Sequence, residues 1–216
     1  IHNGFDEEDY LDNESVATKI TITYTGNIYL GKRDPRPLFE AVSKLKEEGK
    51  VSPDSFEVRF FGGSTLAALS PVIKEYYLEK LVKIYGLIPF KESIQRQKES
   101  TALLLLGWND PREKGIYTGK IFEYLGARRP ILAIGLKGDV VDELLKETGT
   151  GVVVNEASEI KAALVDWLEE FEQAGMVTAH YNPNSDVIHQ YTRRQQIARL
   201  AHVLDKVVQR QSPRRN

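Results

Sequence analysis

Short apolar runs and stretches of helical period alternate along this chain. The runs lie at 19–24, 56–61, 83–87, 101–106, 131–134 and 151–154, and most are rich in β-branched or aromatic residues. Between them the apolar residues recur every three to four positions. The spacing predicts a helix at 38–48 with Leu38, Val42 and Leu45 on one face, and a long helix opened by Pro71 that carries Val72, Ile73, Tyr76 and Leu81. Further helices are predicted at 90–99, 119–126, 140–148 and 156–173, the last turning Ile160, Ala163, Leu164 and Leu168 inward. A final helix at 190–210 gathers Ile197, Leu200, Ala201, Leu204, Val207 and Val208 into one stripe. Apolar strands alternating with helices imply a parallel sheet covered on both faces. The expected fold is α/β: a Rossmann-like three-layer arrangement of about six strands, with an added C-terminal helix.

Three regions follow from this pattern. Residues 1–16 are acidic and irregular (Asp6, Glu7, Glu8, Asp12, Glu14), which fits either a connector from a preceding domain or a frayed terminus. Residues 17–188 form the Rossmann-like domain, with 174–188 read as a polar loop around Asn182-Pro183-Asn184. Residues 189–216 are the last helix and a basic tail, of which 211–216 reads as disordered.

Composition narrows the function. The 216 residues are 41% hydrophobic and 28% charged with a formal net charge of -2, so nothing draws the whole molecule to nucleic acid or an anionic membrane. Cysteine is absent, which excludes disulfides and thiolate metal sites and permits a cytoplasmic location. No apolar run approaches the roughly 20 residues that span a bilayer. His2, His180, His189 and His202 lack metal-ligand spacing, and neither a P-loop nor an acyl-transfer triad occurs. Asn13-Glu14-Ser15 is a glycosylation sequon in form only.

The candidate chemistry centres on Thr118-Gly119-Lys120-Ile121-Phe122-Glu123-Tyr124-Leu125. Gly119 and Lys120 stand where a helix begins after a buried strand. Free N–H groups there favour an anion, and Lys120 adds a full charge. Glu123, three residues on, shares that face and can accept hydrogen bonds from neighbouring sugar hydroxyls. Phosphates at the helix tip and a ribose diol at the glutamate point to a nucleotide diphosphate. The alternative is an ordinary amphipathic helix with an i,i+3 ion pair.

The same stretch resembles the donor-binding domain of GT-B glycosyltransferases of the "glycosyl transferases group 1" type. Their Lys-x-x-Glu-Tyr-Leu/Met helix and Gly-Lys-Pro-like turn correspond to Lys120–Leu125 and Ala127-Arg128-Arg129-Pro130. Ile1-His2-Asn3-Gly4-Phe5-Asp6 is similar to the segment that closes the N-terminal domain in that family, so the likeness covers nearly the whole chain. It implies the donor-binding half of an enzyme moving a sugar from a nucleotide-diphosphate sugar to a hydroxyl acceptor. Retention of configuration and independence of a metal cofactor are implied too. The acceptor-binding N-terminal domain would be missing, leaving this piece inactive by itself. The location implied is cytoplasmic, at the inner face of a membrane if the missing half binds one.

The resemblance also assigns residues. Gly26 matches the family's glycine after the first strand, Asn27 stands where an Arg is common, and Lys32 and Arg33 fall near the diphosphate-gripping Lys. Lys32, Arg33 and Lys120 would stabilise the leaving diphosphate. Gly62 belongs to the glycine turn after the second strand, and Leu87 and Ile88 to the segment that holds the base. Gly115, Tyr117, Thr118, Gly119, Lys120 and Glu123 complete the donor set. One position departs: eight residues before Glu123 the family often has a second glutamate, and here Gly115 stands there, with Glu113 two residues away. Trp108 could stack on a ring or simply pack. A sugar-nucleotide epimerase of the same fold, and a non-catalytic nucleotide-binding or interaction module, stay open.

Overall fold

The computed structural model describes residues 1–10, 17–29, 31–108, 112 and 114–211. Asp12, Glu14, the sequon at Asn13, Glu113 and the tail 212–216 lie outside the described residues. Six strands, β1 (Ile20–Thr25), β2 (Phe56–Phe61), β3 (Val82–Gly86), β4 (Ala102–Leu106), β5 (Ile131–Ile134) and β6 (Gly151–Val154), form one sheet in the order β3-β2-β1-β4-β5-β6. Every pairing is parallel. The order reverses between β1 and β4, which opens a crevice at their carboxyl ends.

The helices are α1 (Arg36–Glu47), α2 (Thr65–Glu75), α3 (Phe90–Lys98), α4 (Gly119–Ala127), α5 (Val140–Thr148), α6 (Ala157–Ala174), α7 (Ser185–His189) and α8 (Arg193–Gln211). Side chains alternate across a strand. Leu104 and Leu106 therefore join the core under α1, α2 and α6, while Leu103 and Leu105 join that under α4 and α5. Trp167 fills the first core without exposure, and its Nε1–H donates to the Ala179 carbonyl at 2.9 Å.

Thr21, Thr23 and Thr25 on β1 face the second layer, and each finds a partner there. The Thr21 N–H donates to Thr101 Oγ1 at 2.7 Å, Ser100 Oγ donates to Thr23 Oγ1 at 2.5 Å, and the Thr25 N–H donates to the Tyr124 hydroxyl at 3.2 Å. These bonds fix α3 and α4 against the crevice, where buried polar groups need partners.

Three expectations change. Pro71 does not open α2 but lies within it. The helix starts at Thr65, whose hydroxyl donates to the Gly62 carbonyl at 2.6 Å; Pro71 and the Ala67 carbonyl freed by it are on the exposed side, where water replaces the lost bond. The 174–188 loop ends in α7, because the Asn184 side chain accepts the Val187 N–H and Ile188 is buried. The last helix begins only at Arg193, since the chain turns at 190–192 to form a parallel bridge from Thr192 to Phe5.

Residues 1–10 pack on the domain. The Arg193 N–H donates to the Phe5 carbonyl at 2.8 Å, and Arg193 Nη1 binds Asp6 at 2.6 Å. Phe5 and Tyr10 lie against Gly126 of α4, where an added Cβ would stand 2.7 Å from Tyr10 and 2.8 Å from Phe5. The stripe of α8 is exposed among the described residues: Ile197 is 60% and Leu204 56% exposed.

Candidate functional site

The strand ends on the β1–β3 side of the crevice, together with α3 and α4, enclose a cavity of about 470 Å³. Gly26, Asn27, Arg33, Gly62, Leu87, Ile88, Thr118, Lys120 and Glu123 all line it. Segments almost 100 residues apart in sequence thus converge on one hollow.

Its floor depends on two glycines. The Gly26 N–H donates to the Phe61 carbonyl at 2.7 Å, and Gly26 has φ +128°. A Cβ on Gly62 would stand 2.1 Å from the Gly26 carbonyl oxygen, so any side chain there would push the two loops apart. Asn27 Oδ1 accepts the Ser64 N–H at 3.3 Å, and Ser64 Oγ donates to the Ile28 carbonyl at 3.0 Å, which laces the same loops together.

Above this floor stand two cations. Lys120, in the first turn of α4, holds Nζ 3.6 Å from the centre of the Tyr24 ring. Arg33 donates through Nη1 to the Tyr24 hydroxyl at 3.2 Å and to the Asn27 carbonyl at 3.3 Å. Burial, with the Arg33 guanidinium beside it, pushes the Lys120 ammonium well below the usual lysine range, and Glu123 offsets only part of this. No ion pair joins Lys120 to Glu123 among the described residues, so the ordinary salt-bridged helix is not what forms. Thr118, the residue before α4, is extended and places no side-chain cap on the helix. That leaves the first N–H groups of α4 for another acceptor.

Glu123 is held from behind. Gln97 of α3 donates through Nε2 to Glu123 Oε2 at 3.3 Å and to Thr25 Oγ1 at 3.0 Å. Burial pushes the Glu123 carboxyl up, against the Gln97 bond and the Lys120 charge. A cation and a carboxylate in one cleft, both pushed by burial towards their neutral forms, make this a candidate functional site.

Four expected residues do not line this cavity: Lys32, Tyr117, Gly115 and Gly119. Lys32 points to the rim, its Nζ 4.1 Å from the centre of the Trp108 ring, because the turn after Tyr29 directs Arg33 inward instead. Tyr117 packs with His2 and Phe122 in an aromatic cluster at ring distances of 5.2 and 5.7 Å, since it precedes α4 on the side away from Lys120. Gly115 is drawn towards α5, where its N–H donates to Asp139 Oδ1 at 2.8 Å. Gly119 is the first residue of α4, beside the cavity and close to the Asn3 amide. Sequence reasoning missed Gln97, Ser93 and Phe90. Gln97 had a signal: it is a polar residue one turn from Ser93 on the buried side of α3. Phe90 lines the cavity although 56% exposed, next to Leu87 at 81%, an apolar platform that lacks a cover.

No protein-family model matches the chain, and no curated protein is similar to it. Solved structures are. The Anabaena protein HepE in complex with UDP-glucose superposes with a TM-score of 0.70 at 17% identity, over 95% of this chain and 57% of HepE. The pneumococcal O-GlcNAc transferase GtfA in complex with UDP and GlcNAc gives 0.59 at 11%, over 96% of this chain and 38% of GtfA. Sucrose-phosphate synthase from Thermosynechococcus elongatus gives 0.66 at 14%, over 97% and 52%. The fold is that of one GT-B domain. The chain spans about half the length of HepE and of the synthase, and less of GtfA. In a GT-B domain the crevice at the switch of strand order is the expected ligand position, and the cavity with Lys120 and Glu123 lies there.

Proposed function

We propose that this GT-B domain binds the nucleotide diphosphate of an activated sugar, and that it serves a glycosyltransferase moving that sugar to a hydroxyl acceptor. The carrying observation is the cavity in which Lys120, Arg33 and the open N-terminus of α4 face one another beside Glu123. In this reading the cations and the helix terminus take the diphosphate, and their attraction grows as the leaving oxygen gains charge. Glu123, steadied by Gln97, accepts the ribose hydroxyls. Leu87, Ile88 and Phe90 receive the flat face of the base. The neighbours captured with UDP or UDP-glucose support a uridine donor as the first to try.

The acceptor belongs to a second domain in this reading, and the exposed stripe of α8 gives that domain a place to pack. Among the described residues no helix is long and apolar enough to cross a membrane.

Thermal denaturation with UDP, GDP and ADP tests the nucleotide site. A ligand at 100 times its dissociation constant adds about 2.7 kcal/mol. We expect at least one diphosphate to raise the melting temperature. No shift with any of them at millimolar concentration would remove the site.

A further inference from the structure

Two buried polar atoms near Glu123 have no partner among the described residues. One is Gln97 Oε1, an acceptor, although Nε2 of the same amide is shared among Thr25, Ser93 and Glu123. The other is the Tyr10 hydroxyl, a donor. Tyr10 ends the short helical turn Glu7–Tyr10, which packs on both α3 and α4, and neither Tyr10 nor Gln97 lines the cavity. The Tyr10 ring is fixed by its neighbours: it meets Phe5 edge-on at 5.8 Å and lies against Gly126. Gly126 is three residues beyond Glu123, so the two share a face of α4. Burial, and after it the Glu123 carboxylate, push the Tyr10 hydroxyl well above the usual tyrosine range, which makes that carboxylate the foremost charge near it.

A buried hydroxyl without a partner costs stability, and a carboxylate is the strongest acceptor that can meet it. Glu123 accepts a bond from Gln97, and its two oxygens offer about four acceptor positions, enough for a ribose diol and a further donor. Other contacts tie the same segment to α4. The Asn3 amide lies against Gly119 at the helix start, and Arg193, which Asp6 binds at 2.6 Å, adds its attraction to Glu123. We propose that Tyr10 is a positioning residue for Glu123: its hydroxyl donates to the carboxylate once a ribose diol meets that carboxylate from the cavity, so that a bound nucleotide and the segment 1–10 hold each other in place. The coupling is reciprocal, since whatever the segment adds to the ligand's affinity the ligand adds to the docking of the segment. The proposal rests on the nucleotide reading of the cavity.

Titration calorimetry with UDP and its 2′,3′-dideoxy analogue tests this, with the GDP or ADP pair replacing the uridine one if it does not bind. Tyr10→Phe keeps the ring packing and removes only the donor. We expect it to weaken UDP about tenfold, the scale of one hydrogen bond to a charged group, and to leave the dideoxy analogue within about twofold. Hydrogen exchange reads the same coupling in the unaltered protein, without relying on a variant that folds. The Phe5 and Asp9 N–H groups donate to the Tyr191 and Asp6 carbonyls at 3.3 and 3.2 Å. Both should exchange several-fold more slowly with UDP than with the dideoxy analogue at equal saturation. A loss in Tyr10→Phe that is the same for both ligands makes Tyr10 a packing residue and overturns the proposal. No loss with either ligand overturns it too, as does exchange at Phe5 and Asp9 that the diol leaves unchanged. The nucleotide site survives each of these results. If no diphosphate binds, both readings fall.

Discussion

Two clusters of charge on this sheet differ in what surrounds them. Towards the amino ends of the strands, Glu57 meets Lys19 at 2.5 Å, Arg59 at 3.0 Å and the Tyr85 hydroxyl at 2.7 Å. Burial works against this carboxylate, but Lys19, Tyr85 and Arg59 outweigh it and hold the group below the usual glutamate range. At the carboxyl ends, Lys120 is pushed down and Glu123 up. The first cluster has matched its charges and stabilises the fold. In the second, Lys120 rests on the Tyr24 ring and Glu123 on the Gln97 amide, with no ion pair between them among the described residues, and charge buried in that way costs stability. The two clusters use the same residue types, and their shifts run in opposite senses.

The sharpest way to break the contrast is at the floor of the second cluster. Gly62→Ala sets a methyl against the Gly26 carbonyl, and we expect a loss of about 3 kcal/mol in urea unfolding together with loss of nucleotide binding. A variant that unfolds with the wild type and still binds would show that the loops need not touch.

Next comes the matched cluster. Glu57→Gln should cost about 2 kcal/mol at neutral pH and leave nucleotide affinity unchanged. Because the folded Glu57 pKa is depressed, its contribution is present above the ordinary glutamate range and is lost as pH falls through the folded value. The deficit of the variant should therefore shrink in acid. A deficit independent of pH would mean the carboxylate acts by packing alone.

The unmatched cluster should answer in the opposite sense. Lys120→Met is expected to raise the stability of the unliganded protein by about 1 kcal/mol while abolishing diphosphate binding, the trade seen where a residue is held for function. The lost contact with the Tyr24 ring works against this gain. A variant both less stable and still able to bind would make Lys120 a structural residue.

The smallest effect is a proton. A depressed Lys120 pKa means that unliganded protein releases this proton at lower pH than a free lysine does, and a bound diphosphate favours its return. Calorimetry of diphosphate binding in buffers of different ionisation enthalpy should find a fractional proton uptake that grows as pH rises towards the folded pKa. Equal heats in all buffers at every pH would contradict the shift.

Much of this was legible in the chain, and the failures share a cause. The six strands and α4 follow from local pattern, because apolar runs and helical period fix which residues face the sheet. Lys120 and Glu123 could be placed on one face for that reason. Lys32, Tyr117 and Gly115 could not, since they sit on loops whose direction depends on partners remote in sequence: Trp108, His2 and Asp139. Pro71 misled because a proline on an exposed helix face disrupts little. Gln97 escaped because its role exists only once α3 lies beside α4.

The bridge between Phe5 and Thr192 also sets an order of events in time. The Asp6–Arg193 contact joins residues 187 apart in sequence. Closing so long a loop is entropically costly and comes late. Residues 1–10 leave a ribosome before the domain they pack on, yet their resting place is complete only after residue 193 has left the exit tunnel. Until then the Asp6–Arg193 contact cannot form, so a segment made before its domain is among the last to settle fully.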